Sequence, residues 1–226
     1  MISICLTSFN RDLMTVNAFR RVHDDPRVSE VVIVDDHSNE KWFNNLQKLC
    51  EGFSKVKMFR NTTNIGMAQN KARALELATS DWCILFDSDN ELDKKYLDKL
   101  SPNDTKTIYM PSFAMPTFDY SEFSSLRFSA ENVAKHIDKR MFDCLLNTCN
   151  YVVNRHEYLK VYEYDHTIKA TDTIAFNYRW LLAGNEFYVV PGLHYFHRVH
   201  NGSGFMADAG YNMQKAEEFK NLIRCL

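Results

Sequence analysis

The sequence predicts an α/β fold with a mostly parallel central sheet and helices on both of its faces. Three observations predict it. Apolar runs alternate with helical periodicity through the N-terminal half, the pattern of a parallel sheet crossed over by helices. Each run ends in a polar cluster. One of those clusters, "DSDN" (87–90), sets Asp87 and Asp89 one residue apart behind the unbroken apolar run "CILF", which reads as a strand buried on both faces.

Taken in order, residues 2–9 (ISICLTSF) read as a strand. Residues 12–23 read as a helix closed by Asp24-Asp25-Pro26. Residues 29–36 (SEVVIVDD) form a second buried strand, and 39–53 a helix with Ser38 or Asn39 as its cap. A third strand covers 55–61, a helix 66–78, and a fourth strand 82–89. Beyond about residue 105 the alternation loosens. "KTIYMPSFAM" and "SSLRF" read as strands, and "AENVAKHIDKRMF" and "TDTIAFNYRWLLAG" as helices. "EFYVVPGLHYFHRVH" reads as two short strands broken at Pro191-Gly192, and the last stretch as an amphipathic helix. With no Gly-, Ser- or Pro-rich linker, the expectation is a single domain over 1–226: a nucleotide-binding half (1–104) and a mixed α/β half (105–226) that completes the site.

Composition narrows the function classes. A chain of 226 residues, 45% hydrophobic, suffices for one large core. A net charge of −2 offers no excess of positive charge, so nucleic acid is not an expected partner. The six cysteines are scattered without a C-x-x-C pair, which points to a reducing compartment. No signal peptide or transmembrane segment is evident. The expected location is cytoplasmic, at most peripheral to a membrane.

Four polar clusters follow the four strands: "TSFN" (7–10), "DDHSNE" (35–40), "NTTNIG" (61–66) and "DSDN" (87–90). In a parallel sheet they share one rim, where ligands of such sheets collect. Two carboxylates as close as Asp87 and Asp89 repel unless a cation relieves them. Mg2+ and Mn2+ are hard ions that take carboxylates, phosphates and water. In isolation the turn reads first as a solvated strand end and a cap for the segment that follows; its place among the other three clusters reverses that and favours the cation.

"SICLTSFNR", "VVIVDDHSNE", "NIGMAQNKARALELATSDW", "ILFDSDNEL" and "TDTIAFNYRWLLAG" occur in the order and spacing of family 2-like glycosyltransferases of the GT-A fold, which this chain resembles over nearly its whole length. The resemblance implies a metal-dependent, inverting transfer of a single sugar from a nucleoside-diphosphate sugar, a UDP-sugar first, to a hydroxyl of a glycan or other acceptor. It implies Mn2+ or Mg2+ as cofactor. By position, Thr7, Ser8, Phe9 and Asn10 match the loop that holds the base, and Asp36 the residue that hydrogen-bonds it. Asn64 and Gly66 match the segment beneath ribose and phosphates, where a helix N-terminus also favours anions. Asp87, Ser88 and Asp89 match the metal and ribose turn, with Asp89 the direct ligand. Asp172 matches the general base, with Arg179 two helical turns on and on the same face. A capping role for Asp172 is compatible with a catalytic one.

In "HYFHRVHNGSG" (194–204) the resemblance implies one histidine ligand, His197 first and His200 second, with Arg198 and Ser203 reaching phosphate oxygens. A separate zinc site is disfavoured, because a strand would point His194 and His197 to opposite faces. The chain departs from the family pattern at Leu6, where proline is usual, at Thr171, where an acid is usual, and at Phe176, where processive members carry glutamine. Two rival readings are a nucleotidyltransferase, which would want a Gly-rich basic loop after the first strand, and a non-catalytic nucleotide-sugar-binding module.

Overall fold

The structure is a computed structural model that describes residues 1–200 and 204–226. Its first half follows the alternation: β1 (Ile2–Ser8), α1 (Leu13–Phe19), β2 (Val28–Asp35), α2 (Glu40–Cys50), β3 (Val56–Arg60), α3 (Met67–Leu77), β4 (Trp82–Asp87) and α4 (Lys94–Asp98). The second half holds β5 (Thr107–Met110), β6 (Phe113–Met115), β7 (Phe118–Asp119), β8 (Arg127–Phe128), α5 (Phe142–Leu146), β9 (Tyr151–Asn154) and α6 (Arg155–Val161). It closes with α7 (Asp172–Leu182), β10 (Glu186–Val189), β11 (His194–Phe196), α8 (Gly204–Ala207) and α9 (Ala209–Arg224).

One sheet runs through both halves in the order β3-β2-β1-β4-β9-β5-β10-β8, and a small sheet of order β11-β6-β7 lies apart from it. Strands β1 to β4 are mutually parallel, β9 runs against β4 and β5, and β8 runs against β10. The central strands are apolar on both faces because helices cover both. Ile4, Leu6, Val31 to Val34, Ile84, Leu85 and Phe86 are all buried. Each such side chain contributes about 1.5–3 kcal/mol by leaving water. The six cysteines are free. Among the described residues no helix is long and apolar enough to cross a membrane.

The register sets the rim level. Ser8 stands opposite Asp35, Thr7 opposite Asp87, and Asp35 opposite Arg60. The polar clusters therefore leave the sheet at one height along its edge.

Several elements differ from the sequence reading, α6 and β7 among them, which it did not include; three differences have a physical reason in the local bonding or the topology. The stretch 130–142, expected as a helix, holds only a 3-10 turn at Val133–Lys135 before α5 begins. Asn132 accepts from the Ser129 N–H at 3.0 Å and donates to the Arg127 carbonyl at 3.1 Å, a local bonding pattern that competes with the helix ladder. Met141 then adopts a left-handed φ of 68° and interrupts the path. "KTIYMPSFAM" divides at Pro111 and Ser112 into β5 of the large sheet and β6 of the small one, since proline has no N–H for the ladder. Finally, β9, which the periodicity did not suggest, sits at the centre of the large sheet.

Candidate active site

The loop after β1 is built by short-range bonds. The Ser8 hydroxyl donates to the Arg11 carbonyl at 2.9 Å, and the Asn10 N–H donates to Ser38 Oγ at 2.7 Å. Asn10 has φ 52°, a conformation asparagine tolerates better than most residues, and its Oδ1 accepts from the Asn39 N–H. Thr7 ends its pairing opposite Asp87. Phe9 is left 50% exposed at the rim, which is unusual for a phenylalanine and offers an apolar face to a planar ligand.

Asp36 lies beside this loop, its N–H bonded to the Ser8 carbonyl. Its carboxylate is buried and fully engaged with protein. Oδ1 accepts from Asn61 Nδ2 and from the Ile65 N–H, both at 2.8 Å, and Oδ2 accepts from the Gly66 N–H at 2.9 Å. Asn64 donates to the Asp36 carbonyl at 3.1 Å. Asp36 thus gathers the whole 61–66 segment. Gly66 precedes α3 with φ 86° and ψ 162°, a region only glycine enters freely. Having no side chain, Gly66 cannot cap the helix, and Asp36 holds the chain there instead.

At the end of β4, Asp87 is fixed from three sides. Its N–H donates to Asn150 Oδ1 at 2.9 Å, its Oδ1 accepts from the Cys149 thiol at 3.0 Å, and Asn150 Nδ2 lies 3.3 Å from its Oδ2. The buried residues Cys149 and Asn150 come from the segment just before β9. Ser88 is buried, with the Arg11 guanidinium 3.4 Å from its hydroxyl. Asp89 Oδ2 is met by Arg11 at 3.0 Å and by His200 Nε2 at 2.9 Å.

The segment after β11 is stitched to this turn. Glu91 and Phe196 form an antiparallel bridge, and the Arg198 N–H donates to Asn90 Oδ1 at 3.1 Å. The Arg198 guanidinium binds Glu91 at 2.6 Å rather than pointing at open space. His194 pairs with Asp93 at 3.7 Å. Of the two histidine candidates, His200, the second choice, is the one in contact with Asp89. His197 packs its ring on Phe118 at 5.1 Å, and its buried Nδ1 has no hydrogen-bond partner among the described residues. Burial pushes its imidazole pKa down, against the pull of Asp89 and Asp87. Ser203 lies outside the described residues.

A divalent ion fits this donor set. Asp89 Oδ2 and His200 Nε2 stand 2.9 Å apart, close to the separation of about 3 Å that two adjacent ligands keep around an octahedral ion with bonds of about 2.1 Å. His197 adds an unspent nitrogen, held toward the neutral form that metals bind. Among the described residues, no group of three or more acidic, histidine or cysteine side chains is already gathered as a cage.

On the other side, Asp172 opens α7 as its first helical residue, with Thr171 at the cap position. Its carboxylate does not cap the helix. Oδ2 accepts from the Lys71 ammonium at 2.7 Å. Lys71, on α3, is 5% exposed, and its Nζ lies 3.9 Å from Asp87 Oδ1. Burial alone would push the Lys71 pKa down, but Asp172, Cys149 and Asp87 more than reverse this and hold the ammonium well above its ordinary range. For Asp87, burial works to raise the pKa, and the Lys71 charge together with the Cys149 bond prevails and lowers it. Asp172 and Arg179 line one small cavity with Ala68, Tyr158, Tyr162 and Phe176. Arg179 is held there by the Glu163 carbonyl at 2.6 Å.

Sequence reasoning passed over Lys71, Cys149, Asn150 and Arg11. Lys71 carried one signal: an ammonium flanked on α3 by the buried Asn70, Ala72, Ala74 and Leu75. For Cys149 and Asn150 the only signal was the unassigned apolar run "YVV" that follows them.

Comparisons with known proteins bear on the fold and the family. Residues 1–349 of S. aureus TarS, solved with UDP-GlcNAc, superpose with a TM-score of 0.69 at 16% identity, covering 98% of this chain and 65% of that one. The mannosyltransferase PcManGT from Pyrobaculum calidifontis, solved with GDP-Man and Mn2+, superposes with a TM-score of 0.66 at 14% identity, covering 98% of this chain and 67% of that one. At such identities the likeness is one of fold, and the chain spans somewhat under two thirds of the TarS fragment. A search of curated proteins found no match. The model of "Glycosyl transferase family 2" matches residues 3–122. That span takes in all four strand-end clusters of the rim and more than half of the sequence, so the chain belongs to glycosyl transferase family 2.

Proposed function

We propose that the chain transfers a single sugar, with inversion, from a nucleoside-diphosphate sugar to a hydroxyl of a glycan or other acceptor. A UDP-sugar is the first choice of donor. The reading is supported by one observation: a single buried ammonium, Lys71, reaches both Asp172 at 2.7 Å and Asp87 at 3.9 Å, so the acid read as the base stands beside the turn read as holding the diphosphate.

In this reading the exposed face of Phe9 supports the base, and the α3 N-terminus at Asn64 and Gly66 faces the phosphates. Asp89 and His200, with His197 beside them and Asp87 at the turn, would hold Mn2+ or Mg2+. When bound, such an ion supplies positive charge that favours departure of the diphosphate. The protein's own acid–base step falls to Asp172. An acceptor hydroxyl attacks the anomeric carbon opposite the diphosphate, and Asp172 takes its proton as the new C–O bond forms. The old bond breaks with its electron pair on the diphosphate oxygen. A placed base of this kind contributes about 10²–10⁴ in rate.

The test is nucleotide release from UDP-GlcNAc, other UDP-sugars and GDP-mannose with Mn2+, first with water as acceptor. Turnover should vanish on chelation and fall at least about 100-fold in Asp172→Asn. Full activity in that variant would overturn the base assignment. Metal-dependent UDP binding with no turnover of any donor would instead make the chain a binding module.

A further inference from the structure

Lys71 is out of place by ordinary stability reasoning. A buried ion pair rarely stabilises a fold more than apolar side chains of the same volume would. The position lies on a helix that packs over β1 and β2, with Ala72, Ala74 and Leu75 buried around it, so stability would be served as well by apolar side chains in place of the pair as by Lys71 and Asp172 together. The ammonium is nevertheless aimed at two carboxylates that are far apart in sequence. It lies 2.7 Å from Asp172 Oδ2, 3.4 Å from Thr173 Oγ1 and 3.9 Å from Asp87 Oδ1.

Asp172 has few other restraints. Thr171, at the cap position, makes no side-chain cap bond. Among the described residues Lys71 is the one side chain that donates to the Asp172 carboxylate. Because that bond takes Oδ2, it selects Oδ1 as the oxygen left for an incoming proton. The same ammonium ties Asp172 to the end of β4, whose next residues carry Asp89. A base must stand within hydrogen-bond reach of the proton it takes, and small displacements cost large factors in rate.

We propose that Lys71 is a positioning residue: it clamps one oxygen of Asp172, leaves the other for the acceptor hydroxyl, and fixes the base relative to the diphosphate-binding turn. This rests on Asp172 being the base. Lys71 acts through Asp172.

The test uses the full chain with Lys71→Met, Lys71→Gln and Lys71→Arg beside Asp172→Asn. Three quantities are read: UDP affinity with Mn2+, kcat and KM for nucleotide release from UDP-GlcNAc and GDP-mannose, and a crystal structure of whichever neutral variant folds. Lys71→Met or Lys71→Gln should lose kcat by about 100-fold, with KM and UDP affinity within about threefold of wild type. Lys71→Arg should recover at least about tenfold of the loss, because it restores a cationic donor. In the crystal the Asp172 carboxylate should leave its present position. Turnover within about threefold of wild type in the neutral variants overturns the proposal. So does UDP affinity falling in step with kcat, which would make Lys71 a donor-binding residue. If wild type releases nucleotide from neither donor, an Asp172 carboxylate that stays in place in the neutral variant overturns the proposal on its own. Undiminished kcat in Asp172→Asn refutes the base reading instead, whatever the lysine variants do.

Discussion

Asp36 separates two uses of a buried carboxylate. The family resemblance assigns it to the nucleotide base, while the structure spends its oxygens on the 61–66 segment: Asn61 Nδ2 and the Ile65 N–H on Oδ1, the Gly66 N–H on Oδ2. In Asp36→Asn one oxygen survives and an NH2 replaces the other. One buried N–H then faces a donor, at a cost of about 1–3 kcal/mol, and the remaining bonds lose the strength that charge gave them, about 0.5–1 kcal/mol each. The expected destabilisation is about 3 kcal/mol. At 226 residues each kcal/mol is worth about 2–4 °C, so the melting midpoint should fall by about 10 °C. Urea unfolding and thermal melting of the purified variant, with and without UDP and Mn2+, measure it. UDP affinity should fall as well, because the segment loses its anchor. A variant with unfolding free energy within about 0.5 kcal/mol of wild type but weakened UDP binding would refute this reasoning, and Asp36 would then serve the base alone.

Other expectations follow from equally local geometry. Glu30 accepts from Ser3, from the N–H and hydroxyl of Thr79 and from Lys57. Burial works to raise its pKa, and these partners together lower it from 4.5 to about 2. A depressed acid stabilises the fold fully above its unfolded pKa and progressively less as the pH falls toward the folded one, so the contribution should shrink from about 3 kcal/mol at pH 7 to about 1.5 kcal/mol at pH 3. The gap in urea midpoint between wild type and Glu30→Gln should narrow accordingly; an equal gap at both pH values contradicts it. Gly66→Ala meets no atom within 4 Å of the added carbon but must hold φ 86°, so it should cost about 1–3 kcal/mol in thermal or urea unfolding through backbone strain alone. In Phe9→Ala, UDP binding measured by calorimetry should weaken about tenfold or more, with unfolding unchanged, if the exposed ring stacks on the base; unchanged affinity removes Phe9 from the donor site.

The chain order of the first half was legible because each strand is a continuous apolar run and each helix keeps a 3.6-residue period, both properties of neighbouring residues. The rim clusters were legible for the same reason: a polar group that follows a buried strand must emerge at its end. The failures have physical causes too. Residues 130–142 carry a helical apolar pattern, but the Asn132 side chain and the left-handed Met141 divert the backbone. β9 is only four residues long, all buried, too short for any period to register. Its place between β4 and β5 is nevertheless what brings Cys149 and Asn150 onto Asp87. The pairing of Lys71 with Asp172 joins residues 101 positions apart, and the meeting of His200 with Asp89 spans 111. Local sequence determined which segments are strands and helices and which polar groups stand at their ends. Only the tertiary structure, by setting strand order and helix packing, decided which of those groups touch, because partners at such distances are chosen by the shape of the whole core and leave no trace in the spacing of neighbours.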